Sequence, residues 1–251
     1  MHFHLPKPLH GWRAFAGEVG IIVVGVLIAL GAKQVVDTIH DRAEVRDAEG
    51  AMVAELRDDN LPQAYTRAAI FNCYADQLDA IQAAIASGDR AKLLKLASAY
   101  HPVARTYDDQ AWQAAVASQV LIHSGATRML AWSTAYRLVP NLNGRASTEQ
   151  EMLADLHAPV SGEGPLSAVQ QDRLFGVVSK LRRLNEGMTG TSLVFINYLA
   201  EQHLALTRSQ EKAIQNDARR TYGDCVVEPK PERVSSASQL IVADDAMLGR
   251  K

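Results

Sequence analysis

The strongest constraint in this sequence is an apolar segment near its N-terminus, residues 14–36. Its centre, VGIIVVGVLIALGA at 19–32, contains no charged side chain. A helix rises about 1.5 Å per residue, so roughly 20 such residues cross a hydrocarbon core that is about 30 Å thick. Glu18 and Lys33 flank this centre and Trp12 precedes it, as expected for residues at the two bilayer interfaces. The pattern predicts a transmembrane helix over 14–36.

The same segment has a second interpretation, a cleavable signal peptide. Its uncharged centre is short, and Ala29-Leu30-Gly31 offers the small residues that a signal peptidase prefers. The chain after Lys33 favours an uncleaved anchor, because apolar residues recur there at the spacing of a continuing helix. These residues are Val36, Ile39, Ala43, Val45, Ala48, Met52 and Leu56.

Basic residues do not decide the orientation of this helix. Lys7 and Arg13 precede it, and Lys33, Arg42 and Arg46 follow it. A short head before a signal anchor commonly stays in the cytoplasm, which predicts a cytoplasmic head at 1–13. The soluble domain is then expected in the periplasm, attached to the bacterial inner membrane.

Small residues within the helix predict contact with a second membrane helix. Ala16 and Gly20, and likewise Gly25 and Ala29, have the four-residue spacing that lets two helices approach closely. Association of identical chains through this helix is therefore one expected interaction, besides that with lipid. Glu18 is the one acidic residue of the wider segment, and it either pairs helices or relays protons there, or reaches water at the headgroups.

The remaining sequence predicts an all-α fold, an antiparallel helical bundle over 37–223 followed by a flexible tail over 224–251. Hydrophobic residues make up 47% and aromatic residues 6% of the chain, which suits close-packed helices. The formal net charge of −2 argues against nucleic acid as a partner.

Turn-forming residues divide the bundle into predicted helices. A helix starting near Pro62 is expected to run to Ser87, and Asp89 is expected to cap the next. Pro140 to Gly144 predicts a loop, with a new helix beginning at Ser147. A long helix from Ser167, with bends at Gly187 and Gly190, is expected to persist to Tyr222.

Two cysteines, Cys73 and Cys225, have no CxxC spacing and so suggest no zinc site. A disulfide between them is possible if the domain lies in an oxidising compartment, and the sequence leaves this pairing open.

The run GEVGIIVVGVLIALGAKQ at 17–34 resembles the N-terminus of an uncharacterised group of bacterial single-pass membrane proteins. The segment TYDDQAWQAAVASQ at 106–119 is similar to a helical segment of the same group. The resemblance implies an anchor helix with a helical extracytoplasmic domain, and it supplies no catalytic residue. Type IV pilins also begin with an acid-bearing apolar helix, but their glycine spacing before the glutamate is missing here.

The sequence contains no HExxH, GxGxxG, Walker-type or GxSxG motif, so we expect neither an enzyme nor a bound cofactor or metal ion. Two hypotheses remain. The first is a membrane-anchored interaction or scaffolding module. The second is an extracytoplasmic sensor for a small ligand, with a pocket lined by Trp112, Trp132 and Tyr136, which acts through an unknown protein partner.

Overall fold

The computed structural model describes residues 11–102, 106–160 and 164–229. Most of the predicted head, 1–13, and most of the predicted tail, 224–251, lie outside these residues. The described residues form helices and no strand, which confirms the predicted all-α fold. The helices are α1 (Gly11–Ala54), a π-helix (Glu55–Asn60), α2 (Leu61–Ala69), α3 (Phe71–Ser87), α4 (Arg90–Ala99), α5 (Gln110–Ala117), a 3₁₀-helix (Val120–His123), α6 (Ala126–Val160), α7 (Ala168–Glu201), α8 (Arg208–Tyr222) and a 3₁₀-helix (Gly223–Cys225).

Helix α1 has two halves with opposite environments. From Phe15 to Ile39, the apolar half, every side chain is exposed, and the most apolar 18-residue window has a mean hydropathy of 2.3 with no residue buried. Val45 is the first buried residue, and Met52 is fully enclosed. By length and composition, α1 is long and apolar enough to cross a membrane.

The bundle core consists of two hydrophobic clusters. The proximal cluster joins the second half of α1 to α5, the start of α6 and the end of α7. The distal cluster joins α3 and α4 to the end of α6 and the start of α7. Helices α6 and α7 are antiparallel, since Tyr198 bonds to Ala131 near one end and Arg173 pairs with Asp155 near the other.

The predicted loop at Pro140 to Gly144 is wrong, because α6 continues through it. Pro140 and Gly144 are exposed, while one buried stripe follows a heptad spacing past them. The stripe consists of Val139, Leu142, Ala146, Glu149, Leu153, Leu156 and Val160. Proline in a helix costs about 3 kcal/mol, and packing of this stripe over about six turns outweighs that cost.

Other boundaries also differ from the prediction. The helix expected from Pro62 to Ser87 is interrupted at Ile70, which separates α2 from α3. α7 continues through Gly187 and Gly190 but stops at Glu201, and α8 begins only at Arg208 behind a capping box of Thr207 and Gln210. The predicted cap is confirmed, since Asp89 Oδ1 accepts a hydrogen bond from Lys92 N at 2.9 Å.

The packed chain extends further than the predicted boundary at residue 223. Cys225 forms a disulfide with Cys73 of α3, with their Cα atoms 5.0 Å apart. Val226 is buried, and the amide of Val227 donates to the carbonyl of Ala69 at 3.0 Å. The disulfide and this hydrogen bond fix residues 224–229 against α2 and α3.

Candidate functional site at the junction of α1 and the bundle

At the junction between α1 and the bundle, several part-buried side chains bond to backbone atoms. Here the α-helix widens into the π-helix Glu55–Asn60, a rare distortion that often marks functional sites. Its first residue, Glu55, is buried. The carboxylate accepts hydrogen bonds from the amide of Ala111 at 2.9 Å and from the hydroxyl of Tyr136 at 2.7 Å. Glu55 thereby ties α1 to the N-terminus of α5 and to α6.

Asn60, the last residue of the π-helix, binds the backbone that precedes α5. Its amide donates to the carbonyl of Asp108 at 2.8 Å, and its carbonyl accepts from the amide of Asp108 at 2.8 Å. Asn143 of α6 makes the same two bonds, each 2.8 Å long, with Tyr107. Glu55, Asn60 and Asn143 together form what we call the α5 clamp.

The α5 clamp gives a physical role to the segment TYDDQAWQ. The backbone of residues 106–109 lies between the π-helix and α6 and outside regular secondary structure, so side chains satisfy several of its amides and carbonyls. Gln63 donates to the carbonyl of Thr106 at 3.0 Å and extends the same pattern. The motif quoted from the sequence therefore marks the segment that the junction holds, and the structure attributes no reaction to it.

Burial keeps the hydroxyl of Tyr136 protonated in this site. The pKa of Tyr136 is raised far above its ordinary value, first by burial and then by its hydrogen bond to the Glu55 carboxylate. Tyr136 therefore keeps its proton and serves as a fixed donor to Glu55.

A buried polar layer lies between the two hydrophobic clusters. In it Arg67 Nη2 donates to Glu149 Oε1 at 3.0 Å, and the Arg67 guanidinium lies 4.8 Å from the ring centre of Tyr74. Five of its polar atoms make no hydrogen bond with any residue that the structure describes: Arg67 Nε and Nη1, Asn185 Oδ1, Thr189 Oγ1 and Ser192 Oγ.

Sequence reasoning missed this layer. Arg67 lies among the buried residues of α2, and Glu149 occupies a core position of the α6 heptad. A charged residue in an otherwise apolar stripe is the signal that could have identified Glu149, but the loop predicted at Pro140 interrupted the stripe.

The three predicted pocket aromatics do not surround one cavity. Trp112 stacks on Tyr136 with ring centres 5.3 Å apart and planes inclined by 16°, which leaves no room for a ligand between them. Trp132 instead faces a groove of about 200 Å³ with Arg128 and Leu199 among its walls. Its indole N–H donates to Glu49 at 3.4 Å, and Arg128 pairs with the same carboxylate at 3.0 Å.

The predicted membrane-packing residues all lie on the apolar half of α1 and are exposed: Ala16, Glu18, Gly20, Gly25 and Ala29. With about 3.6 residues per turn, Gly25 is turned by about 180° from Ala16, so the two small-residue pairs occupy opposite faces. Glu18 shares its face with Gly25 and Ala29.

Among the residues that the structure describes, no group of three or more His, Cys, Asp or Glu side chains could hold a metal ion. Comparisons with protein-family models, with curated proteins and with solved structures find no match to this chain.

Proposed function

We propose that this chain is a single-pass membrane protein whose anchor helix holds a helical interaction or scaffolding module next to the bilayer. One observation carries the proposal: α1 is a single helix that is exposed from Phe15 to Ile39, carries no charge from Val19 to Ala32, and enters the bundle core from Val45 onward. An apolar helix with no protein partner around it is stable in lipid and unfavourable in water.

The α5 clamp supports a rigid connection between anchor and module. A flexible linker would let the module move freely, whereas Glu55 and Asn60 join the end of α1 to α5 through part-buried hydrogen bonds, and Glu55 bonds to Tyr136 of α6 in the interior. A module held in this way presents a fixed face at a fixed height above the membrane, which suits display to a partner protein.

The disulfide supports a periplasmic location for the module in a bacterial cell. Disulfides persist in oxidising compartments and are rare in the cytosol. Cys73 and Cys225 are both used in this bond.

The small-ligand alternative has weaker support. Pockets for small molecules commonly enclose about 300–1,000 Å³. The Trp132 groove holds about 200 Å³, and Glu49 already engages both Trp132 and Arg128 beside it. The interaction role is therefore the function that the geometry favours.

Anchoring is tested by extracting membranes of expressing cells with alkaline carbonate and measuring the intact mass of the protein. We expect the chain in the membrane pellet, with residues 14–36 retained. A soluble protein that lacks these residues would contradict the proposal and establish the signal-peptide interpretation.

Orientation is tested with Val169→Cys, because Val169 is 80% exposed and its added thiol has no partner in the native disulfide. We expect a membrane-impermeant maleimide to label this variant in intact spheroplasts. Labelling only after lysis would place the module in the cytoplasm.

The interaction role is tested by crosslinking in the native membrane through Gly20→Cys and Gly25→Cys, one on each of the two small-residue faces of α1. Ile28→Cys, which lies between these two faces, is the matched control. Recovery of a homo-oligomer or of a defined partner supports the proposal. Monomers alone from both positions, with no partner recovered through the module, would remove it.

A further inference from the structure

The end of the bundle nearest to the apolar half of α1 exposes several large apolar side chains. We call this end, residues 116–130, the bundle tip. Ile122 is 70% exposed and Leu130 is 67% exposed. Val116 and Met129 are exposed beside them. Soluble proteins seldom expose several large apolar side chains close together unless the surface contacts something.

Contacts with α1 fix the position of the bundle tip. His123 Nδ1 lies 3.4 Å from Asp41 Oδ2, while Val120 and Leu121 are buried in the proximal cluster with Val45. Further along α6, Tyr136 contacts the carbonyl of Met52. Helix α6 therefore runs alongside α1 away from the apolar half, and the tip is the part of the bundle closest to it.

The exposed apolar surface of α1 continues almost to the tip. Val35, Val36 and Ile39 are exposed, and Asp41 is only two residues, or about 3 Å of helix rise, beyond Ile39. Ile122 adjoins His123, the partner of Asp41.

We propose that the bundle tip is a second membrane contact, in which Ile122 inserts into the bilayer interface that α1 crosses. The inference rests on the proposed function, because it requires α1 to span the bilayer. The occupant is lipid, since Asp41, the partner of His123, lies only about 8 Å of helix rise beyond Val36, within the depth over which interfacial apolar side chains bury. Leu130 lies farther from the bilayer, because its neighbour Arg128 pairs with Glu49, about 20 Å of helix rise beyond Val36. Two contacts with one membrane fix the tilt of the module, which α1 alone does not.

The opposite end of the bundle supplies a matched control. Val169 begins α7 beside the distal cluster and is 80% exposed, so it has the chemistry and exposure of Ile122 without the position.

The test uses the full-length protein in vesicles of phosphatidylcholine and phosphatidylglycerol. Ile122→Cys, Leu130→Cys, Val169→Cys and Ile28→Cys are each labelled with an environment-sensitive fluorophore, and lipids with a spin label at a shallow acyl position are added as quenchers. We expect strong quenching at 28, clear quenching at 122, weaker quenching at 130, and no more quenching at 169 than with unlabelled lipid.

The outcomes separate the two proposals. Quenching at 28 without quenching at 122 overturns the second membrane contact and leaves the anchor intact. Absence of quenching at 28 overturns the anchor itself. In a third outcome, the emission of the fluorophore at 122 shifts to the blue as the protein-to-lipid ratio rises, but spin-labelled lipid does not quench it. That result would assign the tip to a contact with a second copy of the chain and overturn the proposal.

Discussion

Arg67 on α2 and Glu149 on α6 form an ion pair inside the bundle, with Nη2 and Oε1 3.0 Å apart and side chains only 2% and 3% exposed. Both charges are removed from water, so each depends on the other for compensation. Their net contribution is small in such settings, but removing one partner leaves an uncompensated buried charge.

Glu149→Gln keeps the shape of the side chain and removes its charge. We expect it to lower the free energy of unfolding by about 3–5 kcal/mol, because the Arg67 guanidinium stays buried. Urea denaturation of the detergent-solubilised protein, followed by circular dichroism, measures this change.

Two variants control that measurement. Arg173→Ala breaks an exposed pair with Asp155 and should cost at most about 1 kcal/mol. Arg67→Met combined with Glu149→Leu removes both charges and should recover most of the lost stability. Equal effects of Glu149→Gln and Arg173→Ala would show that the buried pair has no special energetic role.

Reduction of the Cys73–Cys225 disulfide should destabilise the bundle, because the bond closes a chain segment with a sequence separation of 152. A loop of this length predicts a loss of about 4–5 kcal/mol. The measurement compares urea denaturation with and without a reductant. We expect the double variant Cys73→Ala, Cys225→Ala to be as stable as the reduced protein and to show the same urea midpoint with and without the reductant. An unchanged urea midpoint for the reduced wild type would contradict the prediction.

Alkaline pH should destabilise the folded protein through its buried tyrosines. Burial raises the pKa of Tyr65 to about 12 and also raises that of Tyr100 and Tyr136. Tyrosines in the unfolded chain lose their protons near pH 10. Above that pH the unfolded state binds fewer protons than the folded state, so stability is complete below about pH 10 and is lost as the pH rises toward the folded pKa values.

Tyr136→Phe separates these contributions. We expect lower stability than wild type at pH 8, by about 1–3 kcal/mol, because Glu55 loses a buried donor. Between pH 10 and pH 11.5 we expect a shallower decline, since one raised pKa is gone. The control Gln113→Ala changes no titratable group, so its stability should decline with pH as steeply as that of the wild type. An equally steep decline for Tyr136→Phe would be inconsistent with a raised pKa of Tyr136.

Asn60→Ala removes two hydrogen bonds of the α5 clamp and leaves the amide and carbonyl of Asp108 without their partner. We expect a loss of about 2 kcal/mol and faster amide exchange over 106–118, measured by hydrogen–deuterium exchange. Gln113→Ala on the exposed side of α5 should leave both unchanged. Protection that persists over 106–118 in Asn60→Ala would mean that the clamp does not hold this segment.

The fold class was predictable because helical periodicity is local information. The apolar residues from Val36 to Leu56 have the spacing of a continuing helix, and the structure follows it up to the π-helix. Asp89 acts as a cap for the same reason, since its bond to Lys92 spans only three residues.

The junction and the ion pair were not predictable because their partners are distant in sequence. Glu55 meets Tyr136 and Arg67 meets Glu149 only after α6 packs beside α1 and α2. The loop at Pro140 was wrongly predicted for a related reason. The local preference of proline for a turn is outweighed by packing of the buried heptad on the other face of α6. Trp112, Trp132 and Tyr136 were predicted to line one pocket, and the sequence could not show that Trp112 stacks on Tyr136.

The disulfide also closes residues 73–225 into a covalent ring. Cleavage of any single peptide bond between Cys73 and Cys225 leaves both fragments attached to each other and to α1. A protease that cuts one loop therefore nicks the module without shedding it, and release from the anchor in one cut requires cleavage before Cys73. A nicked chain thus stays one covalent unit with α1 until the disulfide is reduced or the chain is cut before Cys73.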